Sequence, residues 1–478
     1  MHTTATSAIN FNLMKRIFHQ SDTTQGFFPA KMLSFFAFCI FLFALVQGTT
    51  VRGQTTYRFF QVEEKDRKVL KTTPIPEKNI PAWAKDVSQQ KSGWKAAKAI
   101  KKQPYFSPPV PFVIPPAEGS GEPFYAHNHQ PSITWLENGD LLAIWFSTMK
   151  EAGTEMTVLA SRLRAGKNEW EPASEFFKAK DRNMTGSSLF NDGKGTLYHF
   201  NSMGAEGETG WANLAILLRT SRDNGKTWTN ARPVAPDIKG RHQVISGTIK
   251  TAQGYLIQAC DAHWSSSGGT ALHISKDGGS TWTDPGEGIA TPKFSEVKSG
   301  QGTIAGIHGG VVELKDGRLL AFGRSDNIDG KMPMSISEDL GKTWTYSASP
   351  FPPIHSGQRL VLMRLKEGPL LFMSFTHYPD KEGGMAFKDA DGNTFQGKGM
   401  YAALSYDEGK TWPVQKLLTP GTGEFDGGGW TRTFAAAKET AEPRGYLAVT
   451  QTPDGIIHLI SSRLHYKFNL MWLETPPR

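Results

Sequence analysis

Residues 221–228 read SRDNGKTW, and the same shape returns as SKDGGSTW at 275–282, SEDLGKTW at 337–344 and SYDEGKTW at 405–412. A weaker copy, SRLRAGKNEW, begins at 161. The strong copies start 54, 62 and 68 residues apart. A period near 60 is too long for one hairpin and suits a four-stranded sheet with its loops, so the chain reads as a ring of repeated sheets. Inside each copy the residue types are mechanical. The Asp side chain accepts hydrogen bonds from turn backbone N–H groups. The Gly takes a backbone conformation closed to other residues. The Trp offers a large apolar face to a neighbouring sheet.

A second repeat counts the sheets. LENGDLLAIW, LFNDGKGTLYHF, IKTAQGYLIQA, ELKDGRLLAFG, RLKEGPLLFMS and TPDGIIHLIS each place short apolar runs around a turn glycine, at Gly139, Gly193, Gly254, Gly317, Gly368 and Gly455. Such turns between apolar strands signal hairpins. Six hairpins interleaved with five boxes predict an all-β fold, a six-bladed β-propeller over residues 106–478, closed so that few strand edges are left open.

The remainder of the chain is read by composition. Leu33 to Val46 is an apolar run of 14 residues after Lys31, with small residues behind it, so residues 1–54 read as a signal peptide and leader. The expectation is a secreted or periplasmic protein with no stable membrane insertion after signal cleavage. Cys39 falls in this leader and leaves Cys260 without a partner, so no internal disulfide is expected. The net charge of +8 is localised: residues 1–54 carry +3, residues 55–105 carry +7, and 106–478 carry −2. The basic stretch, with KAAKAIKK at its centre, reads as a solvated Lys-rich extension. A near-neutral main domain gives no footprint for nucleic acid.

The hairpins also locate a candidate site. Counting 9 to 12 residues back from each turn glycine reaches His129, Asn183, His242, His308, Arg359 and Tyr446. All six can hydrogen-bond, each precedes an apolar strand, and equivalent strand starts of a ring converge on its axis, so they are expected to form one polar site. His127, two before His129, could pair with it on a metal, but no matching Cys or acidic ligand set is visible, and no metal or other cofactor is expected. His199, His263, His273, His377, His458 and His465 are scattered and read as structural.

The boxes resemble the Asp boxes, or BNR repeats, of the sialidase superfamily, over roughly 106–478. The resemblance implies a propeller that cleaves a terminal acidic sugar from a glycan. Sialidases use a Tyr nucleophile paired with a Glu, three Arg around the substrate carboxylate, and an Asp acid/base. GYLAVTQTPDGIIHLISS is similar to the stretch that begins with their Tyr, which assigns Tyr446. VVELKDGRLLAFGR is similar to the stretch that ends in their second Arg, which assigns Arg324. A planar guanidinium suits a carboxylate, and a Tyr nucleophile spares an anionic sugar from a facing carboxylate. The chain departs from the pattern elsewhere. His129 stands where the first Arg is expected and His308 where the Glu partner of the Tyr is expected. No Arg lies in 376–400, so Arg359 is the available third guanidinium. In FSTMKEAGTEMTVLASR the available acids are Glu151 and Glu155.

The expected catalytic set is therefore Tyr446, His308, His129 and Glu151, with Arg324, Arg359, His242 and Asn183 holding substrate. A facing His and Tyr can act as base and acid near neutral pH. That suits exo-hydrolysis of a terminal acidic sugar. It also suits lyase chemistry on a uronic-acid glycan, with the carboxylate neutralised by Arg while His or Tyr takes the C5 proton. A non-catalytic glycan-binding propeller and a structural surface module are the remaining readings.

Overall fold

The computed structural model describes residues 80–94, 103–234, 237–262, 268–378 and 383–477. The leader, the apolar run with Cys39, His263 and KAAKAI lie outside them. All described residues fall in the compact unit Thr55–Arg478. None of their helices is long and apolar enough to cross a membrane.

The structure is a six-bladed β-propeller. Each blade begins with an inner strand and turns through the expected glycine into a second. The six inner hairpins are His127–Trp135 with Leu141–Thr148, Ser187–Asn191 with Leu197–Met203, Gln243–Lys250 with Leu256–Asp261, Ile307–Glu313 with Leu319–Arg324, Val361–Arg364 with Leu370–Phe375, and Ala448–Gln451 with Ile457–Ile460. All six turn glycines have positive φ. The second strands are almost wholly buried because both their faces are covered by neighbouring blades. Strand Phe106–Pro111 pairs antiparallel with Leu464–Phe468, so the N-terminal strand supplies the outer edge of the sixth blade and closes the ring.

The boxes lie at the turns into the outer strands and repeat one hydrogen-bond pattern. In the second blade Ser221 Oγ donates to Asp223 Oδ1 at 2.7 Å, Thr227 N donates to the same oxygen at 2.9 Å, and Gly225 N donates to Ser221 Oγ at 3.1 Å. The bonds recur at Asp277, Asp339 and Asp407. Asp277 and Asp407 are held to about 2 by the hydrogen bonds from Thr281 and Thr411. Each Trp then reaches the preceding blade. Trp228 meets Phe176 at 5.3 Å, Trp282 meets Phe200 at 5.3 Å and Trp412 meets Phe351 at 5.2 Å. Trp344 is 1% exposed and packs with Ile257 and Leu272. Trp344→Ala is expected to cost about 3–5 kcal/mol, the usual loss for a large buried aromatic. Urea unfolding measures it, and wild-type stability would remove the structural role of the box.

Part of the Lys-rich extension is not solvated. Trp83 is buried, its Nε1 donates to Glu175 O at 2.9 Å, and Trp94 Nε1 donates to Leu136 O at 2.9 Å. Two tryptophans bury enough apolar surface to hold residues 80–94 along the first blade despite their charged neighbours.

Candidate functional site

The site lies where the inner strands begin. Its first element is a kink. His308 has φ of 55°, and the pairing of its strand with the next shifts between Ile307 and Gly310. A left-handed backbone is unfavourable for His, so something must hold it. Asp261, the last residue of a second strand in the neighbouring blade, does so twice. Its Oδ1 accepts from His308 N at 2.7 Å, and its Oδ2 lies 2.7 Å from His308 Nδ1. An ionised carboxylate only accepts, so Nδ1 carries the proton and Nε2 presents its lone pair. That lone pair meets the Tyr446 hydroxyl at 2.9 Å.

Tyr446 enters from the other side of the ring. The pair Gly445–Tyr446 runs parallel to Gln358–Arg359. Gln358 fixes this pair through hydrogen bonds to His377 O and Pro443 O. Arg324 Nη1 donates to the Tyr446 hydroxyl at 3.0 Å and to Gln358 O at 2.9 Å. The phenol thus sits between an imidazole acceptor and a guanidinium donor, forming the chain Asp261–His308–Tyr446–Arg324.

Protonation follows from burial. Burial first, then the charge of Arg324, lowers His308 to about 4, against the pull of Asp261. The ring is neutral at neutral pH and able to receive a proton. Burial raises Tyr446, while Arg324 lowers it, so the hydroxyl is protonated at rest. Glu151 lies on the loop after Leu141–Thr148. Burial raises its carboxyl, and the charge of Arg324 and the Trp430 indole N–H pull it the other way. Its charge in turn reaches Tyr446. Glu155, the other acid of this loop, is spent locally: its Oε1 accepts from Thr148 Oγ1 at 2.6 Å and from the N–H groups of Met149 and Lys150.

His129 completes the cluster. Its ring centroid is 4.0 Å from that of Tyr446, and His127 lies 5.4 Å from His129. Burial and the neighbouring positive groups hold His129 well below the usual imidazole range. Among the described residues, both ring nitrogens of His129, His127 Nε2 and Arg324 Nε are buried without a hydrogen-bond partner. Buried polar atoms are normally paired, so these mark where a polar ligand would bond.

The other expected residues, Arg359, His242 and Asn183, hydrogen-bond to backbone groups. Arg359 donates Nε to Leu447 O, Nη1 to Ile245 O and Nη2 to Pro131 O, at 3.0, 2.6 and 2.5 Å. It pins three blades together and lines an axial channel of about 280 Å³. Three of its five N–H groups are thus spent on backbone carbonyls, and its guanidinium lies 5.4 Å over the Tyr446 ring. His242 Nδ1 bonds Leu214 O at 2.9 Å, and its ring packs on His273. Asn183 bonds Gly210 O and Thr185 N. Both bonds go to backbone, because strand starts in these blades meet loops before they meet the axis.

Asp261 escaped the sequence reading, yet a signal for it exists. Seven residues after the turn glycines stand Phe146, Phe200, Asp261, Arg324, Phe375 and Ser462. The two charged residues among them flank the His308–Tyr446 pair. Among the described residues no group of three or more His, Cys, Asp or Glu could hold a metal ion.

Fold and site together define a sialidase-like propeller with a buried Tyr at its axis. The chain belongs to the BNR repeat-like domain family, whose model matches residues 139–459. It is 25% identical over 419 residues to a sialidase of Micromonospora viridifaciens, covering 77% of this chain. The match covers only 57% of that relative's length. Among solved structures it superposes on a protein of unknown function from Dyadobacter fermentans with a TM-score of 0.50 and 16% identity, covering 77% of this chain and 99% of the other. The NanB sialidase of Streptococcus pneumoniae gives a TM-score of 0.50 and 13% identity, covering 75% of this chain and 70% of the other. At these identities the two structures share the fold.

Proposed function

We propose that the protein is an exo-acting glycoside hydrolase that releases a terminal acidic sugar through a Tyr446 nucleophile. The observation that carries this reading is the Tyr446 hydroxyl hydrogen-bonded to a neutral His308 whose other nitrogen is held by Asp261. Tyr446 Oη attacks the anomeric carbon and its proton passes to His308 Nε2. The bond from that carbon to the leaving oxygen breaks, and the oxygen takes the Glu151 proton. Water then attacks the same carbon and gives its proton to Glu151. The glycosyl–Tyr446 bond breaks, and the phenolate recovers its proton from His308. Two displacements leave the anomeric configuration retained. Arg324 faces the acidic group of the sugar, and its charge also stabilises the phenolate.

One observation favours elimination as a second reading. The neutral His129 ring, tilted against Tyr446 with both nitrogens buried and unpartnered, is a second candidate base beside the phenol. Product analysis against a panel of acidic glycans separates the two. A free reducing sugar supports hydrolysis. A C4–C5 double bond absorbing in the ultraviolet replaces it with elimination. No product of either kind leaves a binding module.

The pH profile gives an independent check. Hydrolysis needs His308 neutral and Glu151 protonated. Activity is expected to fall as pH drops through about 4, where His308 gains a proton. It is expected to fall again as pH rises through the raised value of Glu151. Glu151→Gln should abolish the upper limb and lower kcat on sugars with poor leaving groups by about 10²–10⁴-fold. An upper limb that survives the substitution would remove Glu151 as the acid.

A further inference from the structure

We propose that Glu442 is a positioning residue for the Tyr446 hydroxyl: as a neutral carboxylic acid it bridges three segments behind Gly445 and holds the phenol between His308 and Arg324. The proposal rests on the hydrolase reading only for what Tyr446 does to a substrate. Glu442 stands four residues before Tyr446 and has 0% exposure. Its backbone oxygen accepts from Met400 N at 2.8 Å, which fixes the residue against the fifth blade. Its carboxyl lies beside Gly445. A Cβ at Gly445 would come 3.2 Å from Glu442 Oε1 and 3.5 Å from Thr431 Oγ1. Gly445 also has φ of 153°, so glycine is what lets the chain run this close over the carboxyl.

A proton count gives the state of this group. Tyr466 Oη donates to Glu442 Oε2 at 2.8 Å. The other oxygen, Oε1, lies 3.4 Å from Thr431 Oγ1. Thr431 has one hydroxyl proton, and the Arg444 carbonyl, which can only accept, takes it at 2.8 Å. An ionised Glu442 would therefore set two acceptors facing each other. A proton on Oε1 removes the conflict and lets the acid donate to Thr431. Burial agrees, pushing the carboxyl up to about 7 against the hydrogen bonds of Ser461, Tyr466 and Thr431. No cation is among the groups that shift it. Tyr466 is the titratable side chain that meets it, and burial, then Glu442 itself, holds that phenol well above its usual range. The other groups against it, Thr431, Ser461 and the Met400 N–H, are neutral.

The three segments all bear on the site. Tyr466 belongs to strand Leu464–Phe468 of the sixth blade. Thr431 lies at the tip of the hairpin formed by Gly423–Asp426 and Thr433–Ala436. That tip covers the histidine pair, since a Cβ at Gly429 would come within 2.8 Å of Asn128 O and 3.8 Å of His129 Nδ1. Through Thr431 the bridge reaches the Arg444 carbonyl, two residues before Tyr446. Tyr446 Oη in turn sits 2.9 Å from His308 Nε2 and 3.0 Å from Arg324 Nη1. A displacement of about 1 Å would break both bonds, and misplacement on that scale costs about 10²-fold in rate.

Two substitutions of Glu442 in the full chain test the bridge. Glu442→Gln keeps one acceptor for Tyr466 and one donor for Thr431, so kcat is expected to stay within about threefold of wild type. Glu442→Leu keeps the bulk and removes the bridge. It should lower kcat by about 10–10²-fold and leave KM within about twofold, since the groups that meet substrate are unchanged. In the free protein it should also shift the Nε2 nitrogen resonance of His308, assigned by its loss in His308→Gln, because the bond from Tyr446 is broken. If Glu442→Leu does not fold, Thr431→Val carries the same two readouts, since it removes the bridging hydroxyl and keeps the carboxyl. The melting temperature of Glu442→Gln relative to wild type should rise as pH increases from the ordinary carboxylate value near 4.5 to about 7, and level off above it. A folded Glu442→Leu protein with wild-type kcat and an unmoved His308 resonance would overturn the positioning role. Glu442→Gln as inactive as Glu442→Leu, or a melting difference that does not change with pH, would overturn the neutral acid. A His308 resonance that moves in Glu442→Leu, in a protein that turns over no acidic glycan, would keep the positioning role and overturn the hydrolase.

Discussion

Tyr446→Phe is expected to lower kcat by on the order of 10⁴–10⁶-fold, the scale seen when a covalent nucleophile is removed. The substitution keeps the ring that packs on His129 at 4.0 Å and lies beneath Arg324 and Arg359. It deletes only the hydroxyl between His308 Nε2 and Arg324 Nη1. Two buried polar groups lose a partner, so a stability cost of about 1–3 kcal/mol is expected, leaving the ring of blades folded. Kinetics on the glycan identified by product analysis, with circular dichroism and thermal unfolding alongside, measure both effects. Substantial activity in a folded Tyr446→Phe protein would remove the nucleophile, and with it the hydrolase reading.

Asp261→Asn should lower kcat by about 10²–10⁴-fold with little change in KM. The reason is geometric. His308 N already occupies Oδ1, so an asparagine that keeps that bond turns its NH₂ toward His308 Nδ1. A nitrogen facing an amide donor must be the acceptor, which moves the ring proton to Nε2. Nε2 can then no longer take the proton of Tyr446. The carboxylate charge also vanishes. Because Asp261 raises His308 against burial and Arg324, its loss moves the acid limb of the pH profile below about 4. A structural role alone would reduce stability without moving that limb. Unchanged kcat and an unmoved limb would show that Asp261 serves only to hold the kinked backbone at His308.

The ring was legible because its signals are local. A turn glycine with positive φ, an Asp that caps its own loop and a Trp three residues after the glycine of the glycine–lysine or glycine–serine pair act within one hairpin or between adjacent blades. Counting them counts the blades. Tyr446, His308 and His129 were legible for the same reason, since the repeat places equivalent strand starts side by side. Arg324 came from the similarity of its stretch to the sialidase pattern.

The remaining assignments needed the closed ring. Arg359 occupies a strand start like the others, but its guanidinium finds the carbonyls of Pro131, Ile245 and Leu447, contributed by three different blades. No spacing within one hairpin records that those carbonyls converge. Asn183 and His242 likewise bond to loop backbone whose position depends on packing between blades. Asp261 gained its role because the neighbouring blade brings a kinked His308 against it, 47 residues along the chain. Sequence alone thus determined the blade, its turns and the number of blades, all set by backbone conformation and apolar burial over a few residues. Only the tertiary structure decided which polar side chains face open space on the axis and which are consumed in holding it, because a buried polar group takes whichever partner the closed ring brings within hydrogen-bond reach.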